Sequence, residues 1–381
     1  MKYSRLVKYF FGLSFMLLMI MPIINTVDFL TTYTDGSKRF NKQVLFNTDK
    51  IESVASYAVY KIFDKSIFPD NVVTGKDSFL FLGNRYADVL NKTNGTFLIT
   101  DHEVRNYVKK LRQLQTWYEK QGIKFIMAIS PNKHSIYKEK LPDWIQYDGE
   151  TITDRILKES GREGIHLVDL RPSLVAAKET EQRLLYQKTD THWNMLGASY
   201  GYEKIIDYIN ENYELDLHKP KYEVKYDENA NHRGGLYRFL KAKDYFNISD
   251  FNTYYYDFEK KDIVCHGKIN IKNGKLKACH NKENPILATN HQPQYILNKN
   301  VGKSKLLFLG DSFSTYHSQL FNMTFNTIWK LHFRKFKGKR LKKFVERNQP
   351  DIVLYHIVER DLFNNYIFTP IAKNPHNEGR F

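Results

Sequence analysis

Two short stretches carry residue types from which acyl chemistry can be built. The first is Gly310-Asp311-Ser312, at the end of the apolar run Lys305–Leu309. Such a run, cut off by Gly-Asp-Ser, reads as a buried strand ending in a sharp turn. A serine at that corner is lifted out of the sheet with its hydroxyl exposed, and the peptide N–H groups of the turn point where an oxyanion would form. A serine hydroxyl is a poor nucleophile until a base takes its proton, and the base needs an orienting acceptor. Asp190-Thr191-His192 offers both within three residues. It reads as a turn opening a helix that continues to about Asn212, where Asp190 can cap free N–H groups and stay ionised. An ionised Asp190 would hold the His192 ring in the tautomer that presents a lone pair to Ser312. Their separation along the chain is no obstacle, because sheet topology brings distant loops together.

Each stretch also has a plainer reading. Gly, Asp and Ser are what any loop prefers, and Asp190 can merely cap while His192 packs on Trp193. No second cluster of His or carboxylate stands at ligand spacing, which argues against zinc. The two cysteines, Cys265 and Cys279, lack the His or Asn pattern of a thiol protease. They flank a hairpin turn at Asn270–Gly274. A turn centred near Lys272 would face them to each other, whereas a two-residue Asn273-Gly274 turn would put them out of register. A disulfide is permitted if the body lies outside the cell.

The elements that must position these residues are legible in part. Val72–Gly83 reads as a turn followed by a short strand. Val104, Val108, Leu111, Leu114 and Tyr118 recur at helical spacing, and Gly122 ends that helix. Ile123–Ile129 reads as a buried strand closed by Ser130-Pro131-Asn132-Lys133, Thr151–Glu159 as helix and Ile165–Leu170 as strand. The alternation predicts an α/β fold, a three-layer parallel sheet covered on both faces. Residues 213–300 are polar and aromatic, with strand-like runs such as Asp262–Ile271, and read as a loop-rich insertion. Sheet texture returns at Lys305–Ser314, then a helix is expected before a final strand at Asp351–Ile357.

At 42% hydrophobic, the 381 residues can bury a core. A net charge of +16 favours nucleic acid, anionic lipid or acidic polysaccharide as surroundings. The N-terminus decides against nucleic acid. Tyr9–Val27 is uncharged and close to the roughly 20 residues a membrane-spanning helix needs. Lys2, Arg5 and Lys8 precede it and Asp28 follows, so the positive-inside rule sends the body across the membrane. No small-x-small cleavage site stands near residue 27, which favours an uncleaved anchor over a signal peptide. The expected organisation is a cytoplasmic tip and anchor at 1–27, a juxtamembrane segment at 28–70, helical around Ile51–Phe63, and a body at 71–381. Within the body, Lys330–Arg347 holds nine Lys or Arg against one acid, Glu346. It reads as a solvated helix face, or as a surface for lipid headgroups or an anionic polymer.

Several blocks in order resemble the alginate O-acetyltransferase family of the AlgJ/AlgX type, which has an SGNH-hydrolase-like fold. They are Gly75-Lys76-Asp77 with Phe79–Gly83, Ser130-Pro131-Asn132-Lys133, Val168–Pro172, Asp190-Thr191-His192-Trp193-Asn194, Gly310-Asp311-Ser312-Phe313, and Pro350-Asp351 through Glu359-Arg360. Relative to ordinary SGNH hydrolases the order is permuted, because Asp190 and His192 precede Ser312. The resemblance implies Ser312 as nucleophile, His192 as base and Asp190 as orienter, acting through an acetyl-serine intermediate on sugar hydroxyls. It implies a polysaccharide acceptor, a multipass membrane acyltransferase as donor, and no cofactor. An acetylesterase with the same triad and a non-catalytic polysaccharide-binding scaffold are the alternatives. The chain departs from the family at Gly234-Gly235-Leu236, where Gly-Asp-Leu is usual. It departs from ordinary SGNH hydrolases at Ile357-Val358-Glu359-Arg360, where an oxyanion-binding Asn is usual. Asn132, Lys133 and Tyr316 are the candidates to partner the Ser312 N–H at the oxyanion, and Arg360 is expected to pair with a local carboxylate.

Overall fold

The computed structural model describes residues 2–34, 40–147, 149–227, 234–241, 253–260, 263–288 and 292–371. By internal packing the chain divides into two units, Met1–Phe68 with Tyr237–Asn247, and Pro69–Leu236 with Ile248–Phe381. The first unit contains a helix from Lys2 to Thr32. Its stretch Leu6–Thr32 has a mean hydropathy of 2.0 and is long enough to cross a membrane. The helix runs on past Val27 through Asp28 and is followed by a second long helix, Asp49–Phe63. The Asn25 amide donates to the carbonyls of Leu45 and Asn47 at 2.9 and 2.8 Å.

The second unit holds the candidate site. Its strands are β1 (Val72–Thr74), β2 (Leu80–Leu82), β3 (Lys124–Ser130), β4 (Leu167–Asp169), β5 (Tyr222–Asp227) and β6 (Thr253–Phe258). They continue as β7 (Ile263–Lys268), β8 (His280–Glu283), β9 (Gln294–Leu297), β10 (Lys305–Gly310), β11 (Thr327–Leu331) and β12 (Ile352–Val358). Eight form one sheet in the order β4-β3-β12-β10-β11-β9-β7-β8. The sheet is mixed and not parallel throughout. The first five strands run parallel, and β9, β7 and β8 extend the edge antiparallel.

The parallel strands are near-continuous apolar runs because both faces are covered. Every residue of β12 is buried. Val353, Tyr355 and Ile357 face a core shared with the helix Asp101–Glu119 and the helix Lys339–Asn348. The opposite face of the sheet is covered by Trp193, whose ring stands 5.6 Å from His356 of β12, and by Phe321 of the helix Ser318–Asn322, whose ring stands 4.8 Å from Phe308 of β10. This is the expected three-layer α/β arrangement.

The segment expected as a loop-rich insertion instead supplies β5 to β9, three of which join the central sheet. Its hairpin logic explains their direction. Strands joined by a short turn pair antiparallel, whereas a parallel pair needs a long crossover. The expected run Asp262–Ile271 begins outside the described residues and its visible part is β7. Across the hairpin Ile269 pairs with Leu276, and Cys265 and Cys279 are joined as a disulfide with Cα atoms 5.3 Å apart. The cysteines are not directly opposite, since Cys265 pairs with Asn281, so the bridge is diagonal. Replacing both cysteines by Ala should lower stability by about 3 kcal/mol, the loop-entropy expectation for a closed loop of this length. Denaturant unfolding extrapolated to water checks it, with a steeper slope expected as the unfolded chain expands, and an unchanged unfolding free energy would show that the bridge does not constrain the unfolded chain.

Candidate active site

Ser312 stands at the carboxyl end of β10, where open α/β sheets place their ligand crevices. It opens a single 3-10 turn, Ser312–Thr315, and is partly exposed. Asp311 is buried beneath it. Its Oδ1 accepts from the Phe313 N–H at 2.9 Å and its Oδ2 from the Val358 N–H at 2.7 Å, so one carboxylate ties the turn to β12. Burial, with the nearby Asp361 charge, pushes its pKa up to about 6 against the pull of those donors. Gly310 is required by the close approach of the turn. A Cβ there would lie 2.2 Å from Ser314 Oγ, which itself donates to Asp311 O at 2.6 Å.

The second arm is the loop before the helix Met195–Tyr213. Asn194, not Asp190, caps that helix, accepting from the Gly197 N–H at 3.0 Å. Asp190 is thereby free of the helix and accepts through Oδ1 from the His192 N–H at 2.9 Å and from His192 Nδ1 at 2.7 Å. Its Oδ2 accepts from the Gly235 N–H at 2.7 Å. Burial alone would raise the Asp190 pKa, but the His192 ring and these N–H donors outweigh it and hold the carboxyl well below its usual range. Trp193 does not stack under His192. It is fully buried and donates through Nε1 to Phe313 O at 3.0 Å, joining the loop to the Ser312 turn.

Across that junction His192 Nε2 lies 2.8 Å from Ser312 Oγ. The imidazole is flanked by the rings of Phe313 at 4.9 Å and Tyr316 at 5.6 Å. Asp190, His192 and Ser312 thus form one hydrogen-bonded line, the arrangement that can pass a proton from a serine to a base while a carboxylate fixes the tautomer. No group of three His, Cys, Asp or Glu suited to a metal ion occurs among the described residues.

The family profile described as SGNH hydrolase-like domain, acetyltransferase AlgX, matches residues 72–262. The chain belongs to this family. The matched span contains Asp190 and His192 and ends before Ser312. Among curated proteins the chain is similar to a probable alginate O-acetylase AlgJ of Pseudomonas aeruginosa, 25% identical over 180 residues, which cover 46% of this chain and 42% of that protein. A probable alginate O-acetylase AlgJ of Pseudomonas syringae is 26% identical over 192 residues, 49% of this chain and 45% of that protein. The chain therefore spans less than half the length of these relatives. Among solved structures, PatB1 of Bacillus cereus superposes with a TM-score of 0.56 at 19% identity, covering 76% of this chain and 96% of that one. This likeness is one of fold.

Within the family frame the remaining expected site residues divide. Tyr316 stays at the site, its hydroxyl pKa pushed up by burial and by the Asp190 charge. Lys133 is buried, and its ammonium donates to the carbonyls of Gln187, Lys188 and Asp190 at 2.9, 2.7 and 2.6 Å. Three donors on three carbonyls make it a clamp on the His192 loop, with no proton left for an oxyanion. Asn132 is also turned inward: its backbone N–H donates to Glu359 at 3.0 Å, its Oδ1 accepts from Arg360 at 3.0 Å, and its Nδ2 points to Thr93 Oγ1 at 3.5 Å. Arg360 donates to that amide and lies 5.3 Å over the Phe313 ring; Asp361 and Asp311 act on it through their charge, with no ion pair to it among the described residues.

Two supports were not read from the sequence. Lys330 belongs to β11, not to a solvated helix; it is buried, donates to Ser314 O and lies 4.9 Å over the Phe308 ring. The signal for it was Thr327-Ile328-Trp329, a β-branched and aromatic run. The other is Gly234-Gly235-Leu236, which lacks the usual acid and works by backbone alone. The Gly234 N–H donates to Thr189 Oγ1 at 3.1 Å, Gly235 to Asp190, and Leu236 to Thr189 O at 3.0 Å. A Cβ on Gly234 would stand 2.2 Å from Thr189 O, whereas one on Gly235 would meet only Asp190 Oδ2 at 3.4 Å. Gly234→Ala should therefore displace the Asp190 loop and cut turnover of an activated ester about 100-fold, the usual result of a displacement near 1 Å. Gly235→Ala should retain most activity. Equal rates for the two variants would refute the close-approach argument.

Asp190 also makes the stability of the fold depend on pH. Its folded pKa lies below its unfolded value, so the pairing stabilises the protein above about pH 4 and fades as the pH falls further. Asp190→Asn should flatten that acid limb of the stability profile, measured by unfolding midpoint against pH.

Proposed function

We propose that this protein is a serine-dependent O-acetyltransferase acting on hydroxyls of a cell-surface or exported polysaccharide. The observation that carries the reading is the 2.8 Å contact of His192 Nε2 with Ser312 Oγ, backed by Asp190. His192 takes the Ser312 proton as Oγ attacks the acetyl carbonyl, and returns it to the departing donor group. The acetyl-serine is then attacked by a sugar hydroxyl, whose proton passes to His192, and Ser312 leaves with that proton. The Ser312 N–H, at the head of the 3-10 turn, is the natural first oxyanion donor, with Tyr316, whose ring lies 5.6 Å from that of His192, as its partner. The names of the Pseudomonas relatives support a polysaccharide acceptor. The apolar helix and the charges before it support a single-pass anchor with the second unit outside the cytoplasm. In that setting the acetyl group arrives from a multipass membrane acyltransferase.

The full chain in detergent, given an activated acetyl ester with and without oligosaccharide, tests this. Wild-type protein should acetylate the sugar faster than it hydrolyses the ester. Ser312→Ala should lose at least about 1000-fold of both activities while keeping its fold, as removal of a triad nucleophile does. Hydrolysis that always exceeds transfer would assign the same residues to an acetylesterase, in which water replaces the sugar. Unchanged acetylation in Ser312→Ala would leave a scaffold role.

A further inference from the structure

One surface of the second unit is unused by the chemistry above. The stretch Cys265–Lys282 carries Lys268, Lys272, Lys275, Lys277 and Lys282, all exposed, and no acidic residue. The helix Lys339–Asn348 presents Lys339, Arg340, Lys342, Lys343 and Arg347 to solvent, with Glu346 its one acid. Its inner residues Leu341, Phe344 and Val345 are buried. Hairpin and helix are one surface: Arg340 Nη1 donates to Ile271 O at 2.9 Å, and a Cβ on Gly274 would meet Phe344 at 3.2 Å. Among the described residues none of these ten cations forms an ion pair.

We propose that this hairpin and helix form a docking face for an anionic lipid bilayer. Charge alone would suit any polyanion. The apolar component selects lipid: Leu276, near the hairpin tip, is 43% exposed between Lys275 and Lys277. Cations bracketing an exposed Leu are suited to the boundary between headgroups and acyl chains. A dissolved polyanion offers nothing to the leucine. The helix Lys2–Thr32 supplies the second argument. A chain already tethered to a membrane meets it at high effective concentration, so modest attraction per lysine suffices.

The face also has a definite relation to the site. Lys268 pairs with Gln294, which pairs with Lys330, which pairs with Phe308. The hairpin tip beyond Lys268 therefore projects past the same edge of the sheet as Ser312 beyond Gly310. Three strand spacings separate them, about 14 Å at the usual inter-strand distance. Docking the tip holds the strand end that carries Ser312 near the bilayer, which serves acyl delivery from a membrane donor under the function proposed above; the docking itself does not depend on that reading.

The test uses the full chain in nanodiscs of phosphatidylcholine alone or mixed with phosphatidylglycerol, read by backbone hydrogen exchange. Residues 268–282 and 339–348 should be protected in the mixed discs, unprotected in neutral ones, and released at high salt. Lys272→Glu, Lys275→Glu and Lys277→Glu combined should weaken docking on the order of 100-fold and abolish the protection. Exchange in β3, β10 and β12 and turnover of a soluble ester should stay as in the wild type, so loss of docking and loss of catalysis read out separately. Equal exchange of the wild-type segments in both lipids would overturn the proposal, and that arm needs no variant. Protection by added polygalacturonate, but not by phosphatidylglycerol, would overturn it too and assign the face to a soluble polyanion.

Discussion

The candidate site depends on a buried ammonium. Lys133 is among the largest fully buried side chains, and it holds three carbonyls of the loop that carries Asp190 and His192. Burying a charge is costly unless every donor is satisfied, and here the satisfaction is also the function. Gln187, Lys188 and Asp190 offer their carbonyls to one point, so the loop can adopt few other shapes without stranding the charge. The β1–β2 hairpin adds to the grip, with the Leu80 N–H donating to Lys188 O at 2.9 Å. A loop with no regular structure of its own thereby becomes as fixed as the sheet beside it.

The sheet side follows the same logic with the signs reversed. Asp311 is a buried carboxylate that accepts two backbone N–H groups from separate segments. Lys330 reaches the same turn from β11 through Ser314 O, and Trp193 closes the remaining carbonyl of Phe313. Neighbouring His356 is kept neutral by burial and by the Lys330 charge, its pKa pulled to about 3. It shares a hydrogen bond of 2.9 Å with Ser130 Oγ. The motif blocks around the triad are thus mostly framework. Arg171 pairs with Asp169 and Asp154 and faces Glu359, whose other oxygen accepts from Asn132 and Ser135. Distant pieces of sequence meet in one buried polar network whose output is the position of a loop.

Much of this was legible in the sequence where pattern and structure share a cause. The long helix from Asp101, β3, β10 and β12 announce themselves through periodicity and continuous apolar runs, because burial on one or both faces writes that pattern directly. Asp190, His192 and Ser312 could be named together since their residue types have few other joint uses, and the structure brings them into one line. What escaped was set by tertiary context. β8 reads His-Asn-Lys-Glu and is wholly exposed, so its membership of the sheet rests on backbone pairing with β7 and leaves no apolar trace. Lys330 reads as part of the basic run that follows it, because a lysine carries no local mark of being buried. Asn132 and Lys133 carry polar chemistry that reads as contact with an oxyanion or substrate, but their donors turn inward to the framework.

The Gly234-Gly235-Leu236 departure shows why side-chain motifs are an incomplete guide to such a site. What Asp190 needs is donors at two fixed points, one for each carboxylate oxygen, and the identity of the donor is secondary. His192 supplies one through its own N–H and ring, and a backbone N–H from Gly235 supplies the other. A peptide N–H can approach that closely only where a neighbouring Cβ is absent, and Gly234 provides the absence. An acidic residue in this segment would bring a second negative charge beside Asp190 and raise its pKa. The glycine pair instead leaves Asp190 as the ionised partner of His192, so the loss of an acid from the motif strengthens the electrostatic case for the line ending at Ser312.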